Sequence, residues 1–142
     1  MSPSNGLLLD THVWIWLSAG SSNVLKPDLR QQLDLSSLLL PLHVSIISVW
    51  EVAMLAGKGR LSFSMPMEDW VAQALSHPAI RRVAFDDPAV AIDSNTLPGN
   101  FHSDPTDWLL VATARVGGYT LVTHDRRILD YARSGYVQVL AA

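Results

Sequence analysis

An α/β sandwich, with a central, mostly parallel sheet of about five strands and helices on both faces, is the architecture this chain's pattern points to. Three features carry that expectation. Short apolar runs alternate with helical patterns along all 142 residues. No internal repeat, low-complexity tract or linker interrupts the alternation, so residues 1–142 read as one domain. Acidic residues recur where a strand hands over to a helix, at the sheet edge where parallel α/β proteins place their ligand sites.

Leu7 to Leu9 form the first apolar run, expected as a buried parallel strand ending at Asp10. A helix follows from Thr11 to about Ser18, and Gly20 to Asn23 read as a loop. Pro27 suits the first turn of a second helix, which DLRQQLDLSSLLL continues until Pro41. His43 to Ile46 read as the second strand. Ser48 then opens a helix that stops at Gly57 and Gly59. Pro66 to Ser76 is helical, with Glu68 and Asp69 where negative charge suits the helix dipole. Arg82 to Phe85 is a third strand and Pro88 to Ser94 a short helix. NTLPGNFHSDP is a loop rich in turn formers. Pro105 to Val116 is a strong helix ended by Gly117 and Gly118. Tyr119 to Val122, Asp125 to Tyr131 and Tyr136 to Leu140 complete the pattern as strand, helix and strand.

Composition narrows the function classes. Apolar residues make up 49% of the chain and charged residues 16%, which describes a packed globule rather than a disordered chain. There is no cysteine, so disulfides, thiolate chemistry and thiolate-held zinc are excluded. No apolar run approaches the roughly 20 residues that span a bilayer. The start, MSPSNGLLLD, lacks a basic region and a cleavage-like site, so a cytoplasmic address is expected. A net charge of −3 gives no general attraction for nucleic acid, so nucleic-acid binding needs a local basic patch or a metal.

Four acids stand out: Asp10, Glu51, Asp107 and Asp125. Each has a sufficient local role. Asp10 and Asp125 can cap the helices that follow them. Ser48 and Glu51 have capping-box spacing. Asp104-Pro105-Thr106-Asp107 reads as cap, first helical residue and a third-position acid favoured by the dipole. The combination is harder to explain by capping alone. Two like charges about 4 Å apart cost about 4 kcal/mol at an effective dielectric of about 20. Acids gathered at one sheet edge need a cation to neutralise them, which is the outline of a site for a hard divalent metal.

At these residues the chain resembles the PIN-domain family, specifically its VapC-type toxins of type II toxin–antitoxin systems. The resemblance rests on LLLDTHVWIW, SIISVWEVAMLAGKGRL, HSDPTDWLLVATA and TLVTHD, in that order, and covers nearly the whole chain. It implies a PIN-like three-layer α/β/α sandwich, acids that bind Mg²⁺ or Mn²⁺, and endoribonuclease activity leaving 5′-phosphate and 3′-hydroxyl ends. Asp10, Glu51, Asp107 and Asp125 match the family's catalytic, metal-binding acids. Asp104 matches an accessory acid, and Thr123 stands where the family often keeps a hydroxyl that binds water or phosphate. A homodimer bound by a cognate antitoxin is implied as well. The chain departs from the family at Ser103, Trp108 and His124, where basic residues are common.

The remaining features are weaker. Arg126 and Arg127, beside Asp125, are candidates for RNA phosphate contact, although solvated surface charge is the commoner role of such pairs. His102 and His124 flank the acids and are expected in loop or surface hydrogen bonds. His12 is expected on a helix face. Of the five tryptophans, most should be core, with any surplus at a dimer or antitoxin interface. Two competing functions remain. One is a phosphatase with Asp10 as nucleophile, but His12 stands where haloacid-dehalogenase phosphatases need a second aspartate. The other is a catalytically silent PIN-like RNA-binding or interaction module, against which the complete acid set argues.

Overall fold

The computed structural model describes residues 4–19, 27–38, 40–102 and 104–142. The expected loop at Gly20 to Asn23 and the departure at Ser103 lie outside these residues. The strands are β1 (Leu7–Leu9), β2 (Leu42–Ser45), β3 (Ile80–Val83), β4 (Thr120–Thr123) and β5 (Val139–Ala141). The helices are α1 (Thr11–Ser18), α2 (Pro27–Ser37), α3 (Ile46–Gly57), α4 (Met67–Ser76), α5 (Pro88–Asn95), α6 (Pro105–Gly117) and α7 (Arg126–Ala132).

The strands form one sheet in the order β3-β2-β1-β4-β5, and every neighbouring pair is parallel. Side chains alternate between its faces, as the period of a strand requires. Leu9, Val44, Ile80 and Val122 turn to one face, where Trp14 and Ile15 of α1, Leu33 of α2, Val52 of α3 and Ala74 of α4 cover them. Leu8 and Leu121 turn to the other face, against Val111 and Ala114 of α6 and Ile128 and Tyr131 of α7. Both faces are therefore covered, and the apolar run Leu7-Leu8-Leu9 feeds two cores from three consecutive residues. This is the expected three-layer sandwich.

From β1 the chain builds outward through β2 and β3, then returns to the other side of β1 for β4 and β5. The direction of winding thus switches between β1 and β4. A crevice forms at such a switch, off the carboxyl ends of the strands. Asp10 follows β1 and Asp125 follows β4, so both stand at that crevice.

Several boundaries differ from expectation, each for a local reason. α3 begins at Ile46 rather than Ser48, because Ser45 is its cap and accepts a hydrogen bond from the Ile47 amide at 3.0 Å. Ser48 is consequently inside the first turn, and Glu51 lies in the second turn rather than at the third position. The capping-box reading of Ser48 and Glu51 is thus corrected. α2 ends at Ser37, short of Leu40, since two serines weaken the helix and Pro41 disfavours helical backbone in the residue before it. β3 starts two residues early, at Ile80, where it pairs with Leu42. β5 is shorter than expected and pairs with β4 only from Val139. α6 ends on Gly118 with φ +71°, the left-handed conformation that favours glycine at this position.

Candidate metal centre

Asp10 is buried, with 6% exposure. Its amide donates to the Val122 carbonyl at 2.9 Å, which carries the β1–β4 pairing one residue beyond the strand. That pairing brings Asp10 beside Thr123. One carboxylate oxygen accepts from the Thr11 amide at 2.7 Å and the other from the Thr123 hydroxyl at 2.6 Å. Asp10 is therefore a helix cap and also a carboxylate locked in one orientation. Thr123 is fully buried, and its hydroxyl also accepts from the Asp125 amide at 3.0 Å. It braces two acids from beneath.

Asp125 caps α7, accepting from the amides of Arg127 and Ile128 at 2.9 and 3.2 Å. Asp104 caps α6 through the Thr106 amide at 3.1 Å, and Pro105 takes the first helical position. Asp107 lies in the first turn of α6 and is buried, with 7% exposure. Glu51 reaches the site from α3, half-buried beside the Thr11 hydroxyl. Thr11 also donates to Ser48 at 2.9 Å, which ties α1 to α3 directly under the acids.

The acids sense one another. Burial raises the Asp107 pKa from 3.8 to about 8, and the charges of Asp10, Asp104, Asp125 and Glu51 add to the rise. Burial is also the main cause of the raised pKa of Asp10, against which the Thr123 and Thr11 hydrogen bonds act. Glu51 is raised by burial, and further by Asp10 and Asp104. Five carboxylates from four parts of the chain thus occupy one electrostatic neighbourhood, and Asp107 by itself is protonated at neutral pH. A group of carboxylates that force one another to hold protons lacks positive charge. A hard divalent cation supplies that charge and takes oxygen ligands, so the donor set fits one.

His102 is the residue that sequence reasoning undervalued. Its Nε2 is buried and lies 3.0 Å from Asp107 Oδ2, though too poorly aligned for a good hydrogen bond. Candidate ligand atoms of His102, Asp107 and Asp125 all lie within 4.8 Å of one another. The Asp104 amide donates to His102 Nδ1 at 3.2 Å, however. An imidazole that accepts at Nδ1 carries its proton on Nε2 when neutral. Burial first, and then Arg127, lower the His102 pKa, which keeps it neutral. His102 therefore faces the acids as a donor and not as a metal ligand. The Trp108 indole fixes this loop by donating to the His102 carbonyl. Tryptophan thus serves as a strut where the family often has a cation. His124 is exposed and packs edge-on against Trp16, with ring centroids 4.7 Å apart. His12 is partly buried on α1, as expected. Arg126 and Arg127 are exposed at the rim, with Arg127 3.8 Å from Asp125.

A model of the PIN domain matches residues 7–134. The chain belongs to the PIN-domain family. Among curated relatives it is 37% identical over 125 residues to ribonuclease VapC22 of Mycobacterium tuberculosis, covering 88% of this chain and 91% of that protein. The family resemblance to VapC-type proteins seen in the sequence is therefore upheld. The PIN fold also matches a chain in the crystal structure of VapBC2 from Rickettsia felis bound to a promoter DNA fragment, at TM-score 0.68 and 16% identity, over 95% of this chain and 97% of that one. A chain of DNA-bound VapBC from Salmonella typhimurium matches at TM-score 0.68 and 18% identity, over 96% and 97%. All of the acids expected from the PIN pattern lie in the part of the chain that the family model spans.

Proposed function

We propose that this chain is a divalent-metal-dependent endoribonuclease, the toxin of a type II toxin–antitoxin pair, acting as one nuclease domain over residues 1–142. The observation that carries the reading is the shared electrostatics of Asp10, Glu51, Asp104, Asp107 and Asp125 at the switch point of a PIN sheet. Kinship with a protein named as a ribonuclease supports the choice of RNA.

Asp10 and Asp107 are the principal groups that would hold Mg²⁺ or Mn²⁺, with Glu51 and Asp125 completing the set. When bound, the ion neutralises these carboxylates, offsets charge on the scissile phosphate and acidifies the attacking water. The remaining work belongs to the chain. Thr11 and Thr123 hold Asp10 in a fixed orientation. Glu51 orients the attacking water and takes its proton. Asp104 sets the entry of α6 and adds negative charge. His102 offers an Nε2 proton to a phosphate oxygen beside Asp107, and Arg126 and Arg127 meet the RNA backbone at the rim.

A cognate antitoxin and a second copy of the chain are the expected protein partners. Ile46 and Trp50, one turn apart on α3, are exposed at 38% and 59%. Paired apolar side chains of this size on one helix suit a protein interface. Among the described residues no helix is long and apolar enough to cross a membrane. A cytoplasmic site of action completes the proposal.

The test is cleavage of RNA by purified protein, with product ends mapped. Cleavage is expected with Mg²⁺ or Mn²⁺, to stop with EDTA, and to be nearly abolished in Asp10→Asn while that variant keeps its circular dichroism spectrum. Undiminished cleavage by Asp10→Asn would remove Asp10 from the mechanism. Trapping of an acyl-phosphate on Asp10 would instead favour a phosphatase.

A further inference from the structure

Asp10 and Asp125 are pinned by backbone amides, but Glu51 is held differently. It lies in the second turn of α3, where the amides are already engaged within the helix. Its long side chain needs a side-chain partner to settle in one place. The Thr11 hydroxyl stands beside its carboxylate and favours the charged form.

Behind Thr11 stands Ser48. Both are fully buried, so solvent offers neither a partner. Their hydroxyl oxygens are 2.9 Å apart. Ser48 and Glu51 are three residues apart on α3 and share a helix face, with Thr11, the first residue of α1, against both. The order of contact is therefore Ser48, Thr11, Glu51, from the helix interface outward to the crevice.

Proton counting gives this order a direction. Each hydroxyl carries one proton, and an ionised carboxylate only accepts. In one setting of the pair, Thr11 donates to Ser48. In the other, Ser48 donates to Thr11, which frees the Thr11 proton for Glu51. Only the second setting gives Glu51 a donor from this pair, and it requires the Ser48 hydroxyl. An apolar side chain at this position can pack α3 on α1, but it leaves the Thr11 oxygen without its donor.

We propose that Ser48, buried out of reach of RNA, is a positioning residue for the nuclease reaction: through Thr11 it fixes the Glu51 carboxylate toward the attacking water. The inference rests on the nuclease reading above. It matters because a small misplacement of a reacting group is costly in rate.

The test reads Glu51 directly. The chain has two glutamates, Glu51 and Glu68, and Glu68 is exposed on α4. Protein labelled with ¹³C at the glutamate carboxyl carbon gives one signal for each, and Glu51→Gln assigns them. At one fixed pH and without metal, Ser48→Ala and Thr11→Val should each move the Glu51 signal and leave that of Glu68 in place. Thr11→Ser, which keeps the hydroxyl, should leave both in place. Adding Ser48→Ala to Thr11→Val should move the Glu51 signal no further. Ser48→Cys, a weaker donor of similar shape, carries the same prediction should Ser48→Ala not fold. In cleavage with Mg²⁺, Thr11→Val should lower kcat by roughly 10- to 150-fold, the effect of losing one hydrogen bond to a charged group, with the KM for RNA unchanged. Ser48→Ala should lower kcat in the same way, and the double variant should be no slower than Thr11→Val. The rise in melting temperature with Mn²⁺ should persist in all of them, since Asp10 and Asp107 are untouched.

A Glu51 signal unmoved in folded Ser48→Ala protein overturns the inference and leaves the nuclease reading standing. So does a lower melting temperature with unchanged kcat, which makes the Ser48–Thr11 contact a tie between helices only. Additive losses in the double variant also overturn it, because Ser48 then acts by another route. The expected movement of the Glu51 signal in a protein that cleaves no RNA sinks the nuclease reading and, with it, the catalytic purpose assigned to Ser48.

Discussion

At the scale of single residues, the decisive property is a carboxylate that resists ionisation. Asp107 illustrates it, because burial and four neighbouring acids raise its pKa from 3.8 to about 8. A raised folded-state value means that the native protein holds this proton more tightly than the unfolded chain does. The associated stability is complete below about pH 4 and is lost as pH rises toward about 8. Metal-free protein should therefore melt at progressively lower temperature across that window, and Asp107→Asn should flatten the decline. Melting curves in EDTA over a pH series check this. A decline equally steep in the variant would place the titrating group elsewhere. Asp10 and Asp125 were legible in the sequence because a strand–helix junction is a one-dimensional feature, and parallel topology sends such junctions to one edge, whereas Glu51 and Asp107 lie inside helices and were legible from the family pattern. The place of His102 was not. It depends on the fold of the loop before α6, which Trp108 and Tyr131 hold by donating to the backbone carbonyls of His102 and Pro98. No spacing rule encodes such contacts.

At the scale of elements, helix termini both build the structure and aim the site. Asp10, Asp104 and Asp125 each cap a helix, so capping and function do not compete as explanations. One carboxylate oxygen can accept from an amide while its lone pairs still face the crevice. The sequence made every helix legible, with α3 displaced by two residues. Val44, Ile46 and Ile47 are apolar and β-branched, so the segment reads as strand until Ser45 is seen to cap. Ser45→Ala should cost about 1 kcal/mol of stability, as loss of a cap does. Gly118→Ala should cost about as much, since its φ is +71° and the new Cβ would meet Asn5 Nδ2 at 2.7 Å. A loss of about 1 kcal/mol should lower the melting temperature by roughly 4 °C. Gly118 lies at the far end of α6 from Asp107, so its variant should keep the cleavage rate of folded protein. Calorimetry and initial rates together check both substitutions; reduced rates with unchanged melting would contradict the assignment of Gly118 to stability alone.

At the scale of the whole molecule, two cores of unequal size hold the sheet from its two sides. Trp14 anchors the larger one, fully buried against the Trp70 ring, with its indole N–H satisfied by the Ala74 carbonyl at 3.3 Å. Trp14→Ala should destabilise the protein by about 3–5 kcal/mol, measurable by denaturant titration. The sandwich was legible as a whole because strand-like runs alternate with helical patterns along the chain, the arrangement that builds a parallel sheet covered on both faces. Strand order was not, since nothing in a sequence alone states which side of β1 receives β4. That choice creates the crevice, and it places Asp10 and Asp125 just beyond the carboxyl ends of adjacent strands. The account's central claim is that the gathered carboxylates form one divalent-cation site. Thermal melting near pH 8, where Asp107 titrates, tests it most directly when titrated with Mn²⁺ or Mg²⁺. The melting temperature should rise with the ion in the unaltered protein, and the rise should vanish in Asp10→Asn and Asp107→Asn alike. No rise in the unaltered protein, or an equal rise in both variants, would contradict it.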